Sequence, residues 1–345
     1  MTIYQTEIYE QPDALNRIIN SNWDPFYHLL DQIHKKPITR IMIAARGTSD
    51  NAAIYAKYLL SAFTGIPVSL AIPSLYTIYQ QPPDMTDGLV IGISQSGRST
   101  DVLAVLEDAR NKDVLTLSIT NDQNSPMAKV AKYSVCVNAI EENAIAASKS
   151  YTSTLAAIAI LTALWKNNQQ QISEVKQLPD WAEEVLKQHE SVKKVAQWFA
   201  EYNLMVVLGR GFNHCTAQEI ALKTKELSYM VAEAYSAADF RHGPVAMLMK
   251  DFPVVALAPT DKSLDDMKAM IQEVKTLGVR LAVISNEKDI LEQSDYAISL
   301  PESLPGWLSP IISTIPGQLL ALELATAKGL DVDHPRGLKK VTLTL

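Results

Sequence analysis

The sequence predicts an α/β protein with two parallel sheets, each covered by helices on both faces in a doubly wound arrangement. Short apolar runs alternate with segments of helical periodicity, which is typical of strands buried inside a parallel sheet. The same order of runs occurs twice along the chain. With 345 residues, of which 47% are hydrophobic, the chain is long enough for two domains of this kind.

The first half of the chain opens with a helical region from Asp13 to about Lys35. Four apolar runs then predict strands, and the segments between them predict helices. The strands are expected over residues 40–45, 88–94, 114–120 and 133–139, and the helices over 51–63, 99–111 and 125–131.

The second half repeats the motifs of the first, which indicates a duplication. Three pairs of segments correspond: 41–49 with 205–213, 89–96 with 253–260, and 118–121 with 283–286. The parts expected from this repeat are a first domain with its opening helices over 1–180, a helical connector over 181–202, a second domain over 203–332, and a tail over 333–345. In the tail, Val341, Leu343 and Leu345 alternate with threonines as in an edge strand.

Composition excludes several classes of protein. The longest apolar runs are shorter than the roughly 20 residues of a membrane-spanning helix, so no membrane partner is expected. Because the N-terminus has no apolar signal core, we expect a cytoplasmic protein. The net charge of −7 and the absence of a Lys/Arg block argue against a nucleic-acid partner. Cys136 and Cys215 lack disulfide or zinc spacing and are expected to be buried, and we predict neither a metal nor a cofactor.

The segment "SQSGRST", called the hydroxyl turn (residues 94–100), lies between a predicted strand and a predicted helix. Its hydroxyls are those of Ser94, Ser96, Ser99 and Thr100. The free N–H groups of a helix N-terminus attract anions, and small hydroxyls add donors without bulk. Helix capping is the alternative, but it accounts for one hydroxyl only. The matching turn of the second half reads "APT" where this one has "SQS". We therefore predict a site for a phosphate monoester here and assign Thr100 to helix capping.

A second turn, "RGTSDNA" at 46–52, also joins a predicted strand to a helix. Thr48 and Ser49 could contribute to the same anion site, since parallel strands end at one edge of a sheet. Helix capping is again the alternative for both residues.

Ionisable residues are concentrated in the second half. On a helix over 216–230, Glu219, Lys223 and Glu226 fall on one narrow stripe. Such a stripe is either a functional cluster or a solvated ion-pair surface, and the pattern leaves both open. His242 stands in "FRHGP", where Gly-Pro predicts a loop. A loop histidine suits proton transfer, but most single histidines are not catalytic, so both interpretations stay open here.

Ordered motifs along nearly the whole chain resemble those of the sugar isomerase (SIS) domain family, in particular the isomerase half of glucosamine-6-phosphate synthases. The motifs are "TEIYEQPDAL", "RGTSDNA", "SQSGRSTD", "AASKSYT", "ALKTKELSYMVAEAYSAADFRHGP" and "DHPRGLKKVTL". The resemblance implies two tandem SIS domains and a homodimer whose active sites are shared between subunits. It also implies a small-molecule partner, a sugar phosphate.

The resemblance also implies roles for individual residues. The substrate-binding residues it implies are Gly47, Thr48, Ser49, Ser94, Gln95, Ser96, Ser99, Ile145 and Ala147. Ala147 departs from the serine common in the synthases. Glu226 corresponds to the carboxylate that moves a proton between C1 and C2, and Lys223 to the helix lysine near O1 and C2. His242 corresponds to the histidine that opens the sugar ring from the neighbouring subunit, and Lys340 to the tail lysine that can form a Schiff base.

The synthases carry a glutaminase domain before this half, whereas this sequence reaches "EIYEQP" almost at once. The expected function is therefore a deaminating aldose–ketose isomerase that converts glucosamine 6-phosphate to fructose 6-phosphate and ammonia. The alternatives are another SIS isomerase, a galactosamine- or tagatose-type deaminase, or a deglycase for phosphorylated fructosamines. A sugar-phosphate-binding regulator is disfavoured because the chain has two SIS copies and no basic DNA-binding segment.

Overall fold

Each half of the chain builds one parallel sheet of five strands. The computed structural model of the protein describes residues 1–340. The strands are β1 (Arg40–Ala44), β2 (Val68–Leu70), β3 (Gly88–Ile93), β4 (Leu115–Thr120), β5 (Tyr133–Cys136), β6 (Leu204–Gly209), β7 (Val231–Ser236), β8 (Pro253–Leu257), β9 (Arg280–Ser285) and β10 (Tyr296–Ser299). The predicted fold class is confirmed. The tail strand expected around Val341, Leu343 and Leu345 lies outside the described residues.

Helices connect the strands and cover the sheets. They are α1 (Ile3–Tyr9), α2 (Gln11–Ile19), α3 (Asp24–Lys35), α4 (Thr48–Thr64), α5 (Ser74–Thr77), α6 (Thr100–Asn111), α7 (Pro126–Val130), α8 (Lys149–Trp165), α9 (Gln169–Val175), α10 (Leu178–Leu186), α11 (His189–Phe199), α12 (His214–Ser228), α13 (Ala237–Arg241), α14 (Leu264–Thr276), α15 (Lys288–Leu291) and α16 (Ser309–Ala327). The predicted helical region 13–35 is two helices, because the chain turns at 20–23 and Asn22 Oδ1 accepts a hydrogen bond from Asp24 N (2.8 Å).

The two sheets share one strand order, which supports the duplication. The first runs β2-β1-β3-β4-β5 and the second runs β7-β6-β8-β9-β10. In the first sheet, β2 lies on one side of β1 and β3 lies on the other side, so the strand order reverses between β1 and β3. In the second sheet, the order reverses in the same way between β6 and β8. Each of these places is a topological switch point. In open α/β sheets, ligands bind beyond the carboxyl ends of strands at this point.

The chain forms two compact units. The first unit contains residues 13–142 and 149–176 with the described tail residues 339 and 340, and the second contains 1–12, 143–148 and 177–338. This division differs from the expected boundaries, because two short segments of the first half pack with the second. Hydrogen bonds explain part of this packing: Asp333 accepts from Ile3 N (2.8 Å), and Glu7 accepts from Asn143 N (2.5 Å).

The expected connector over 181–202 is helical, but it belongs to the second unit and does not stand between two domains. It consists of most of α10 together with α11, and both helices pack on α16 within the second unit. Trp181, Val185 and Val195 are buried there.

Apolar packing holds each sheet to its helices. In the first unit, Met42 and Val90 of the sheet pack in one buried cluster with Val105 of α6. In the second unit, Val254 and Val283 do the same with Ile271 of α14. Cys215 is buried as expected, whereas Cys136 at the end of an edge strand is only half-buried. Within residues 1–340, no helix is long and apolar enough to cross a membrane.

Candidate active site

The hydroxyl turn lies at the carboxyl end of β3 in the first unit. Ser94 is largely buried, and its Oγ accepts a hydrogen bond from Gly97 N (3.1 Å). Gly97 has φ of +62°, and a Cβ at that position would overlap the Ser125 side chain. Ser96 Oγ accepts from Arg98 N (3.3 Å). The turn is therefore a tight backbone loop shaped by its own serines.

Asp101 organises the end of this turn. Its carboxylate is 1% exposed and accepts from Ser99 Oγ (2.9 Å) and Arg46 Nε (2.5 Å). The prediction that Thr100 caps the helix is wrong. Thr100 is the first residue of α6, and Ser99 occupies the N-cap position without a side-chain capping bond, since its hydroxyl donates to Asp101.

The second predicted turn lies at the carboxyl end of β1, on the other side of the switch point. Gly47 is the N-cap of α4 with φ of +55°, so the N-cap residue has no side chain, and Thr48 and Ser49 belong to the first helical turn. The structure therefore does not support N-capping by either residue. Burial raises the pKa of the neighbouring Asp50 carboxyl above its ordinary value of 3.8, and Arg46 opposes part of that rise.

A cavity of about 310 Å³ opens beside the hydroxyl turn. It brings two of the predicted substrate-binding residues, Gln95 and Ser96, together with the predicted tail lysine, Lys340. The remaining lining residues are Arg98, Asn121, Asp122, Ile140, Glu141 and Glu142. The cavity therefore carries donors and charges of both signs.

Lys340 is held in this cavity by a buried carboxylate. Its Nζ donates to Glu142 Oε2 at 3.0 Å, and the Glu142 side chain is 0% exposed. The same carboxylate accepts from Ser150 N (3.0 Å) and Ser150 Oγ (2.7 Å). A carboxylate with three donors around it is a fixed counter-charge, so the lysine head group has a defined position.

The predicted catalytic residues of helix α12 form an ion-pair cluster in the second unit. Lys223 Nζ lies 2.5 Å from Glu226 Oε2 and 3.5 Å from Glu219 Oε1. The Lys223 and Glu219 side chains are 2% and 0% exposed, whereas that of Glu226 is 22% exposed. The alternative of a solvated stripe is therefore wrong. A buried cation pairs with a carboxylate that still reaches the surface, which is an arrangement suited to proton transfer.

His242 and the 143–148 loop also belong to the second unit. His242 directly follows α13 and is exposed, in agreement with the predicted loop. Along the loop, Ala144 and Ala146 are buried whereas Ile145 and Ala147 are half-buried. This alternation presents the two predicted sugar contacts on the open side of the loop.

The two units thus each bring part of the predicted set together. The first holds Gln95, Ser96 and Lys340 at one cavity, and the second holds Lys223 and Glu226 in one ion pair. His242 lies elsewhere in the second unit, directly after α13. Among residues 1–340 there is no group of three or more His, Cys, Asp or Glu side chains placed to hold a metal ion.

Sequence reasoning missed three residues of the candidate site: Arg46, Asp101 and Glu142. Asp101 and Arg46 stand inside the motifs already singled out, but their pairing joins two different turns. Glu142 immediately precedes the loop with Ile145, and its partner Lys340 is at the other end of the chain. Of the three, only Glu142 offered a signal in the sequence, because it is an acidic residue close to the predicted sugar contact Ile145.

Comparisons with known proteins agree with this organisation. The sequence model of the SIS domain matches residues 33–164 and 199–328. Glutamine–fructose-6-phosphate aminotransferase [isomerizing] of Legionella pneumophila (strain Lens) is 37% identical over 344 residues, which cover 97% of this chain and 57% of that protein. The chain therefore spans little more than half the length of this curated relative.

Solved structures share the fold over almost the whole chain. The C-terminal domain of glucosamine-fructose-6-phosphate aminotransferase from Francisella tularensis has a TM-score of 0.86 at 31% identity, covering 96% of this chain and 98% of that one. A glucosamine-6-phosphate deaminase from Thermotoga maritima has a TM-score of 0.76 at 23% identity, covering 99% of this chain and 100% of that one. The second likeness concerns the fold alone.

Proposed function

Because the chain belongs to the SIS domain family, we propose that it is a sugar-phosphate isomerase that deaminates an aminosugar phosphate. The proposed reaction converts glucosamine 6-phosphate and water to fructose 6-phosphate and ammonia. The observation that carries the proposal is the pair of Lys223 and Glu226, a buried cation 2.5 Å from a carboxylate that reaches the surface. Relationship to isomerising enzymes of aminosugar phosphates supports the same class of reaction.

Substrate binding is proposed to use the two turns of the first unit. The phosphate is bound by the hydroxyls and amides of the hydroxyl turn, with Gln95 and Ser96, and by Gly47, Thr48 and Ser49 at the start of α4. Helix N-termini and small hydroxyls bind phosphate monoesters well. Arg46, fixed by the buried Asp101, adds positive charge beside Ser99. Ile145 and Ala147 contact the sugar.

The chemistry begins after His242 assists ring opening. Glu226 removes the proton from C2, and the electrons of the C–H bond form an enolamine between C1 and C2. The same group then returns the proton to C1, while O1 takes up a proton and the nitrogen gives one up to solvent, which leaves a hydroxyl at C1 and an imine at C2. Water adds to C2, the C–N bond breaks and ammonia departs as the ketose forms. Lys223 stabilises the negative charge that develops at O1 during these steps.

Lys340 offers a second route for the release of nitrogen. Its amine can attack C2 of the imine, so that ammonia leaves and a lysine imine replaces it. Water then adds to that imine and releases the ketose and the free lysine. Both routes consume one water and release one ammonia. By microscopic reversibility, the same residues also catalyse the formation of the aminosugar phosphate when ammonia is abundant.

An assay of ammonia and ketose release tests the proposal. The panel consists of glucosamine 6-phosphate, galactosamine 6-phosphate, a phosphorylated fructosamine and glucose 6-phosphate, each with the wild-type chain and with Glu226→Gln. We expect glucosamine 6-phosphate to give ammonia and fructose 6-phosphate in equal amounts. The assignment would be overturned if glucosamine 6-phosphate released no ammonia while another substrate of the panel was converted. The substrate that is converted would then identify the correct sugar or reaction.

A further inference from the structure

Helix α1, in which the motif "EIYEQP" begins, is anchored at both ends within the second unit. At its start, the Asp333 carboxylate accepts hydrogen bonds from Ile3 N (2.8 Å) and Tyr4 N (3.0 Å). At its end, Tyr9 Oη lies 2.6 Å from Nδ1 of His189. A carboxylate at a helix N-terminus complements the free N–H groups and the helix dipole. The helix is therefore held in place more firmly than an N-terminal segment ordinarily is.

Glu7 of this helix binds the first residues of the 143–148 loop. Its side chain is 3% exposed, and Oε1 accepts from Asn143 N (2.5 Å) and Ala144 N (3.3 Å). The loop follows β5 in the chain and precedes α8, and it forms neither a strand nor a helix, so its backbone amides need a partner outside regular secondary structure. The carboxylate supplies that partner through charge-assisted hydrogen bonds, which are about twice as strong as neutral ones.

The other end of the loop is held by two glutamines. Gln318 of α16 donates from Nε2 to Ser148 O (3.3 Å), and Gln11 Nε2 donates to Gln318 Oε1 (2.9 Å). Gln11 and Gln318 are 0% and 1% exposed. Thus Glu7 and Gln11, both from the N-terminal motif, serve the two ends of the loop that carries Ile145 and Ala147.

We propose that Glu7 is a positioning residue for sugar recognition, because it fixes the loop that presents Ile145 and Ala147 to the substrate. The inference rests on the proposed function for the identity of the ligand, an aminosugar phosphate. A loop anchored before the ligand arrives does not have to be ordered on binding, so its anchor contributes to affinity. Loss of the anchor raises KM and leaves the proton transfer at Glu226 largely unchanged.

Two variants and one control test this role. Glu7→Ala removes the acceptor, whereas Glu7→Gln keeps one oxygen that can accept an amide. Thr6→Ala is the matched control, since Thr6 lies on the same helix, is exposed, and bonds only locally to Thr2 O (2.9 Å). The measurements are amide hydrogen exchange of residues 143–148, steady-state kinetics, and affinity for glucosamine 6-phosphate from the shift in melting temperature.

We expect Glu7→Ala to accelerate exchange in the loop and to weaken affinity about tenfold, with kcat changed far less. Glu7→Gln should fall between Glu7→Ala and the wild type, and Thr6→Ala should match the wild type. Wild-type affinity in Glu7→Ala, or loop exchange equal to that of Thr6→Ala, overturns the proposal. Exchange and affinity do not require turnover, so an inactive wild-type chain contradicts the proposed function without deciding the role of Glu7.

Discussion

Lys340 Nζ lies 3.0 Å from Oε2 of Glu142, a carboxylate with no exposed surface. The lysine side chain itself is 27% exposed and lines the cavity with Gln95 and Ser96. A lysine that forms an imine must first lose a proton, and the neighbouring carboxylate is placed to accept it. The pair thus links a residue near the end of the chain to the proposed release of nitrogen.

Removal of this lysine tests the link. We expect Lys340→Met to lower kcat for ammonia release about 100-fold, and Glu142→Gln, which keeps the shape but not the charge, to lower it about tenfold. Lys339→Met is the matched control because Lys339 is the exposed neighbour with the same charge. Borohydride reduction during turnover, followed by mass spectrometry of the tail peptide, detects the lysine imine. Wild-type kcat in Lys340→Met would leave Lys340 without a chemical role.

The second prediction concerns Glu226. Glu226→Gln keeps the size of the side chain and a hydrogen bond to Lys223 but removes the proton acceptor. We expect turnover to fall by about 1,000-fold or more while affinity for glucosamine 6-phosphate stays within about threefold. Affinity is measured from the shift in melting temperature, since this does not depend on activity. An active Glu226→Gln enzyme would exclude this carboxylate from the proton transfer.

The third prediction addresses the proposed homodimer, in which His242 serves the active site of the neighbouring subunit. His242→Ala and Glu226→Gln should each be inactive alone. If the two residues act from different subunits, a mixed dimer retains one site with both groups intact. Random mixing of equal amounts after mild dissociation should then restore about a quarter of the wild-type activity. No recovery in a mixture shown to exchange subunits would place both residues in one protomer.

Much of the fold could be predicted because strands buried on both faces leave a simple signal. Residues 88–93 are buried throughout β3, and the run "GLVIGI" is apolar throughout. Strand β7 was missed because its sequence "VAEAYS" is neither a continuous apolar run nor a regular alternation, and buried and exposed residues follow no simple order along it. Strands β2 and β10 were missed because three or four residues are too short for a periodicity to appear.

The candidate site, like the fold, could be predicted only where its residues form a local pattern in the sequence. The hydroxyl turn was visible because its residues are consecutive, and the stripe with Lys223 was visible because helical spacing is regular. The burial of this stripe could not be predicted, because it depends on the packing of α12 against α16 and the second sheet. Glu142 and Lys340 are partners only in the folded chain, and a local pattern cannot contain such a pair.

The last prediction uses the titration of Asp50, next to the turn with Ser49. Burial raises the pKa of the Asp50 carboxyl above 3.8, its ordinary value. A raised pKa in the folded state means that this group stabilises the fold below the unfolded-state pKa, and that this contribution is lost as the pH rises through the folded-state pKa. We therefore expect Asp50→Asn to raise the melting temperature at neutral pH, with a gain that shrinks as the pH falls toward 3.8.

Asp31→Asn provides a control of opposite sign within the same unit. A hydrogen bond from Lys35, followed by the lysine's charge, lowers the pKa of the exposed Asp31 carboxyl. Its contribution is present above the unfolded-state pKa and is lost as the pH falls through the folded-state pKa, so Asp31→Asn should lower the melting temperature slightly at neutral pH. Melting curves between about pH 4 and pH 8 separate the two variants. An Asp50→Asn curve parallel to the wild type would mean that the pKa of the Asp50 carboxyl is the same in the folded and unfolded chains, and that burial does not raise it.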